Sequence, residues 1–328
     1  MTTTTTEPGT PAGAPAGTPE PPRRAVQRPG DRIFSGTALG AGTTILITLA
    51  AVAVFLVVQS LPAFSGDTSD NHILRGESFL SYVWPFVFGT IWAAAIALVV
   101  ATPIAIGIAL FISHYAPRRL AAVLGYVIDL LAAVPSVVFG LWGGLTFAPM
   151  LVPFYTWLNT YLGWIPLFSG QPSGTGKTIL TASLVLAVMI LPIMTAICRE
   201  VFLQTPKLHE EAALALGATR WEMIKMAVLP FARSGMVSAA MLALGRALGE
   251  TMAVTMVLSP LGLVTFELLT STNPTTIPAN IALRFPEAHD TGISTLIATG
   301  LILFIVTFAV NAVARWIVSR RAEFSGAN

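Results

Sequence analysis

The sequence predicts an all-α integral membrane protein of about six transmembrane helices with both termini cytoplasmic. Three observations carry this. Of the 328 residues, 54% are hydrophobic and only 10% charged, whereas soluble domains run nearer a quarter charged. Six apolar runs reach the ~20 residues needed to cross a hydrocarbon core about 30 Å thick. The basic residues collect in alternate connections between those runs. The same composition excludes other classes. With 18 Lys and Arg against 16 Asp and Glu, no concentrated basic face for nucleic acid is expected. A single cysteine, Cys198, cannot form an internal disulfide, and four histidines do not suggest a zinc cluster.

Residues 1–32 are rich in Thr, Pro, Gly and Ala and lack the apolar side chains that offset chain entropy. They read as a disordered cytoplasmic tail ahead of a permease domain over 33–328. The tail is too long, and the run after it too long, for a cleaved signal peptide. The six runs are 34–59, 84–113, 121–147, 178–202, 235–258 and 291–317. The second carries Pro85 and Thr102-Pro103, so a tilt or kink is expected. Pro135, Gly140, Gly143 and Gly144 predict an irregular, closely packed third helix, tolerable only against protein or a water-filled path. Gly36/Gly40 and Gly245/Gly249 have the spacing for close helix contacts.

An even number of spans puts both termini on one side. Fourteen of the eighteen basic residues fall on that side, three (Arg75, Lys177, Arg284) on the other, and Arg246 inside a span. The positive-inside rule therefore places the termini and the connection between spans 4 and 5 in the cytoplasm of a plasma-membrane protein.

That connection, 205–235, is far longer than a turn requires and reads as two short helices. Pro206 suits a first helical turn, and Glu210 and Glu211 complement the dipole there. Gly217 is a C-terminal stop, Thr219-x-x-Glu222 is a capping box, and Pro230 is expected to end the second helix. Trp221, Ile224 and Val228 fall on one face of that helix. From the residues alone this stripe docks either on the chain's own bundle and the membrane surface, or on a soluble partner.

Glu211-Ala212-Ala213, Gly217 and Leu229-Pro230 together resemble the EAA loop of ABC-importer permeases, with Ala227 where that family usually has Ile. The resemblance implies the type I importer permease fold and a coupling helix seated in a cleft of a partner ATPase. Glu211, Ala212, Ala213, Gly217, Leu229 and Pro230 are then the coupling residues.

Three ionisable residues fall within the expected spans: Asp129, Arg246 and Glu250. A charge at mid-bilayer costs roughly 2.5–3.5 kcal/mol on insertion scales, so a role in translocation is the default reading. Spaced i, i+4, Arg246 and Glu250 are expected to pair. Counting about 1.5 Å per residue puts Asp129 and Arg246 both roughly 12–17 Å deep, within reach of each other. A guanidinium keeps its charge when desolvated and offers an oxyanion two parallel donors. Arg246 is thus an anion station, Glu250 its neutraliser, and Asp129 more a packing partner than a translocation residue.

Residues 245–254 (GRALGETMAV), 134–143 (VPSVVFGLWG) and the SHYAPRRL segment at 113–120 resemble the phosphate-specific permeases, and among them the PstC type. The resemblance spans roughly residues 75–318. It implies translocation of inorganic phosphate into the cytoplasm by a complex with a PstA-type sister permease, an ATPase homodimer and an external phosphate-binding protein. It also implies that Arg246 and Glu250 serve phosphate passage. The chain would be a non-catalytic subunit in lipid, with no cofactor and no nucleic-acid partner. Open alternatives are another oxyanion (molybdate, sulfate), a proton-coupled secondary transporter relaying through Asp129 and Glu250, and a sensory subunit without flux. Ser173–Thr178 mimics a phosphate loop but has Gln171 where glycine is needed. His209-Glu210-Glu211 lacks the second histidine of a zinc helix, with Ala213 in its place. His72, His114 and His289 read as lone solvated residues.

Overall fold

The computed structural model describes residues 29–65, 71–258 and 263–322. Every regular element among them is helical. Six stretches are long and apolar enough to cross a membrane: Pro29–Phe64, Phe79–Tyr115, Ser136–Leu162, Ile179–Leu203, Arg220–Gly249 and Thr291–Trp316. The tail expected over 1–32 lies outside the described residues as far as 28. The first helix, α1 (Pro29–Ser65), already includes Pro29 to Arg32. It opens on a proline, whose missing N–H costs nothing at a helix start. Its side chains as far as residue 52 are exposed.

From residue 53 onward the chain packs into its own body. Helix α2 (Phe79–Leu110) runs on through Pro85 and Pro103 and closes in a π turn, Phe111–Tyr115. Along it Ala93, Ala97, Ala101, Ala105 and Ala109 recur every four residues, each at most 1% exposed. Such a stripe of small side chains lets a neighbouring helix approach closely. The neighbour is α6 (Ile179–Leu203), the most deeply buried crossing helix. Thr178 caps α6 by accepting from the Thr181 N–H at 3.2 Å, so the segment that mimics a phosphate loop is a turn leading into a helix.

The third crossing departs from expectation. Residues 121–147 do not form one span. Pro135 interrupts them, giving α3 (Arg118–Ala132), which packs on α6, and a crossing stretch that begins only at Ser136. The stretch comprises α4 (Ser136–Trp142), a π turn (Gly143–Phe147) and α5 (Ala148–Leu162). A proline removes a helical donor and biases the preceding residue away from helix, and the crossing starts at Ser136 instead of residue 121, fifteen residues later. The glycines behave as expected. A Cβ on Gly140 would sit 2.8 Å from the Ala253 Cα, and one on Gly144 2.7 Å from the Met256 carbonyl oxygen. Hydrogen in place of a side chain lets a later segment lie directly against this one.

The fifth crossing also shifts. Helix α7 (Lys207–Ala215) is followed by α8 (Arg220–Met223), a π turn (Ile224–Val228) and α9 (Leu229–Gly249), without a break from Arg220 to Gly249. Pro230 therefore does not end a helix. It sits in the first turn of α9, and the widened turn before it absorbs its missing donor. The crossing ends at Gly249 instead of running to 258. Glu250 is extended (φ −69°, ψ 124°), and the short α10 (Met252–Val257) lies against α4 and α6. A Cβ on Gly245 or Gly249 would meet nothing within 4 Å, so this glycine pair makes no close contact within the chain. Helices α11 (Ile277–Arg284) and α12 (Thr291–Ala322) complete the body. At the start of α2, Asn280 donates to the Tyr82 hydroxyl at 2.8 Å and Ile277 N–H donates to the Thr90 hydroxyl at 2.9 Å, tying α11 to α2.

Candidate functional site: a basic groove and an exposed helix

Two features stand out, one along the bundle and one at its end. A groove of about 860 Å³ runs between α6, α9 and α12. It is lined by Ile193, Val237, Ser238, Met241, Leu242, Gly245, Arg246, Asn311 and Arg315. Helix α9 sorts its residues by face. Ala239, Ala243 and Ala247 are buried against the bundle, leaving Ser238, Leu242 and Arg246 toward the groove. Arg246 has no ion-pair partner among the described residues.

The three expected intramembrane charges are not brought together. Asp129 is exposed on α3, ahead of the crossing stretch, because the break at Pro135 removes it from the span that its depth was counted along. It forms no ion pair with Arg246. Glu250 is 8% exposed, but the helix ends one residue before it, so the i, i+4 relation to Arg246 is lost. Its Oε1 instead accepts a hydrogen bond from the Ala253 N–H at 3.1 Å, in the first turn of α10. A carboxylate there satisfies a free donor and complements the dipole. Glu250 therefore holds the α9–α10 break. Replacing it with alanine should lower the thermal stability of the detergent-solubilised protein by about 1 kcal/mol, while glutamine, which keeps the accepting oxygen, should lower it less. Equal losses measured by thermal unfolding would contradict this.

The second feature is α7. The expected terminators are present: Gly217 takes φ +87°, its N–H bonds the Leu214 carbonyl, and the Ala218 N–H bonds that of Ala213. Thr219 and Glu222 form the reciprocal capping box. The stripe on the next helix divides. Ile224 and Val228 are fully buried among Phe202, Cys198 and Ala109, whereas Trp221 is exposed. Only the Ile224–Val228 part of the stripe docks on the chain's own bundle. The surface left free is on α7 and its C-terminal turn: Leu208 is 74% and Leu216 90% exposed, with Glu211 and Ala212 exposed beside them. Ala213 and Leu229 turn inward onto the cluster, and Pro230 is exposed. His114, at the end of α2, is not solvated as expected. Its Nε2 lies 3.5 Å from Glu210 on α7, so a contact 96 positions apart in sequence fixes where α7 sits. His72 and His289 are not lone either, their ring centroids lying 6.2 Å apart.

Residues 101–323 match the family described as binding-protein-dependent transport system inner membrane component. The chain belongs to this family. It is a multi-pass permease component of a binding-protein-dependent transport system. A relative from Mycobacterium tuberculosis, the "Phosphate transport system permease protein PstC 2", is 46% identical over 312 residues, covering 90% of this chain and 94% of its own. The PstC protein of Mycobacterium leprae is 43% identical over 308 residues, covering 91% and 96%. Among solved structures, a bacterial alginate ABC transporter in complex with an alginate-bound periplasmic protein superposes with a TM-score of 0.58 at 18% identity, over 89% of this chain and 95% of that one. That likeness extends to fold alone, and the fold is that of ABC-importer permeases.

Sequence reading missed Ser238, Asn311 and Arg315 as groove residues, and Leu208 and Leu216 as the free apolar surface. Asn311 and Arg315 did carry a signal, an i, i+4 polar pair at the end of an apolar span.

Proposed function

We propose that this chain is the PstC-type permease of a phosphate importer, moving inorganic phosphate into the cytoplasm along the groove that Arg246 lines. One observation supports this above the rest: nearly the whole chain aligns at 46% identity with a protein named as a phosphate permease. The groove has the chemistry to match, since its charged side chains are two arginines with no carboxylate among its lining. A positive group on a path lowers the barrier to an anion, and polar neighbours let it leave again.

In this reading α7 is cytoplasmic and is the coupling helix. Leu208, Glu211, Ala212 and Leu216 meet the ATPase, while Gly217, Ala213, Leu229 and Pro230 shape and anchor the helix. ATP is hydrolysed on that partner, present as two copies. A PstA-type sister permease closes the path, an external binding protein delivers phosphate, and lipid surrounds the rest. The permease domain is taken over 33–328. Glu250 serves translocation in a supporting sense, by holding the helix break beside Arg246, whereas Asp129, on α3 outside the crossing stretch, is given no place on the path.

The test is uptake of labelled phosphate into proteoliposomes that hold the complete complex. Uptake is expected to require ATP and the binding protein, to survive a protonophore, and to resist competition by sulfate and molybdate. Uptake that ignores ATP but collapses with the proton gradient would replace this reading with a secondary transporter.

A further inference from the structure

Arg315 shares the groove with Arg246, but the two occupy different levels. Helix α9 runs from the α7 end of the bundle inward: Leu229 packs on the core cluster beside α7 and Ala232 belongs to it, while Ala243, Ala247 and Leu248 belong to the central one. Arg246 is therefore at mid-bundle. Helix α12 runs the opposite way, with Leu296 in the cluster at the far end and Val310 packed on the central one. Arg315 comes five positions later, about 7.5 Å further toward the α7 end at 1.5 Å per residue. Asn311 is one turn before it on the same helix and lines the same groove. Its Nδ2 donates to the Thr307 carbonyl at 2.9 Å, which spends one amide hydrogen and leaves its second hydrogen and its carbonyl oxygen.

Two guanidinium groups thus line one groove without a carboxylate among the lining side chains, beside Ile193, Val237, Met241 and Leu242. Neither arginine has an ion-pair partner among the described residues. Two like charges on one groove walled in part by apolar side chains, both still open to solvent in this chain, are an arrangement that a doubly charged anion relieves. Each guanidinium offers parallel donors that match phosphoryl oxygens. Asn311 adds what two arginines lack, a carbonyl that accepts from a protonated oxyanion, which hydrogen phosphate is and sulfate is not.

We propose that Arg315 and Asn311 form a second phosphoryl-oxyanion station, on the α7 side of Arg246, that receives the anion before it leaves the groove. The proposal rests on the phosphate-import reading for its traffic, but not for its chemistry. The oxyanion is either free inorganic phosphate or the headgroup of an anionic lipid reaching into the groove.

The test uses the complete transporter in nanodiscs of phosphatidylcholine alone or with phosphatidylglycerol. Phenylglyoxal modification of Arg315 is followed by mass spectrometry as inorganic phosphate is added. Slower modification with added phosphate in neutral discs supports a station for the free ion. Protection that follows phosphatidylglycerol and ignores phosphate supports the same site filled by a headgroup. Equal modification under all conditions overturns the proposal. So does a block that persists without either ligand, since a fixed partner carboxylate would then hold the arginine. In uptake, Arg315→Gln is expected to lower the maximal rate about tenfold, the loss of one charge-assisted contact, at an unchanged half-saturating phosphate concentration. Arg315→Lys should recover part of the rate, which a purely structural arginine would not require. A wild-type complex that moves no phosphate while phosphate still protects Arg315 would refute the import reading and leave the station standing.

Discussion

Arg246→Gln is expected to reduce phosphate uptake roughly a hundredfold while the complex still assembles: Arg246, exposed on this chain alone, is enclosed once a sister permease closes the path, and removing one partner of a buried charge-assisted contact costs about 2–5 kcal/mol. Arg246 lies on the groove face of α9, opposite the alanines that hold the helix to the bundle, so its loss does not touch the packing. Assembly is read by co-purification with the sister permease and the ATPase, and transport by labelled phosphate in proteoliposomes. Uptake within a factor of two of the parent would remove Arg246 from the path.

The double substitution Leu208→Glu and Leu216→Glu is expected to separate ATP hydrolysis from transport. Both side chains are mostly exposed in the chain itself, so the substitutions should leave its own fold intact. At a docked surface each leucine contributes about 1.5–3 kcal/mol by burial, and a carboxylate in its place is also left unpaired. Together they should weaken recovery of the ATPase subunit by roughly a hundredfold or more. Recovery at the parent level, with coupled hydrolysis, would mean that α7 is not the docking surface. Trp221→Glu on the next helix is the comparison, since its neighbours Ile224 and Val228 are committed to the chain's own core.

Much of this architecture was legible in the residues. Six apolar runs gave six crossing stretches because length and hydropathy alone decide which segments leave water. The caps around Gly217 and Thr219 were equally legible, since each turns on a local geometry: a left-handed residue and a reciprocal side-chain bond. What misled was punctuation inside apolar sequence. Pro135 stopped a helix and Pro230 did not. The difference lies in the wider turn before Pro230, which hydropathy does not encode. Glu250 was misjudged for a similar reason: an i, i+4 relation exists only while the helix continues, and this one ends at Gly249. Contacts such as His114 with Glu210, or Arg246 and Arg315 on one groove, join distant parts of the chain and leave no local trace.

Coupling, orientation and the direction of transport all turn on the side of the membrane that α7 occupies and on what it touches there. Cys198, the chain's one cysteine, is fully buried, so a cysteine placed at Leu216 would report alone. Cells carrying Leu216→Cys should resist a membrane-impermeant maleimide while intact, and react once permeabilised and stripped of the ATPase. Rapid labelling of intact cells would put α7 on the outer face, and the coupling helix, the orientation and the direction of transport would fall with it.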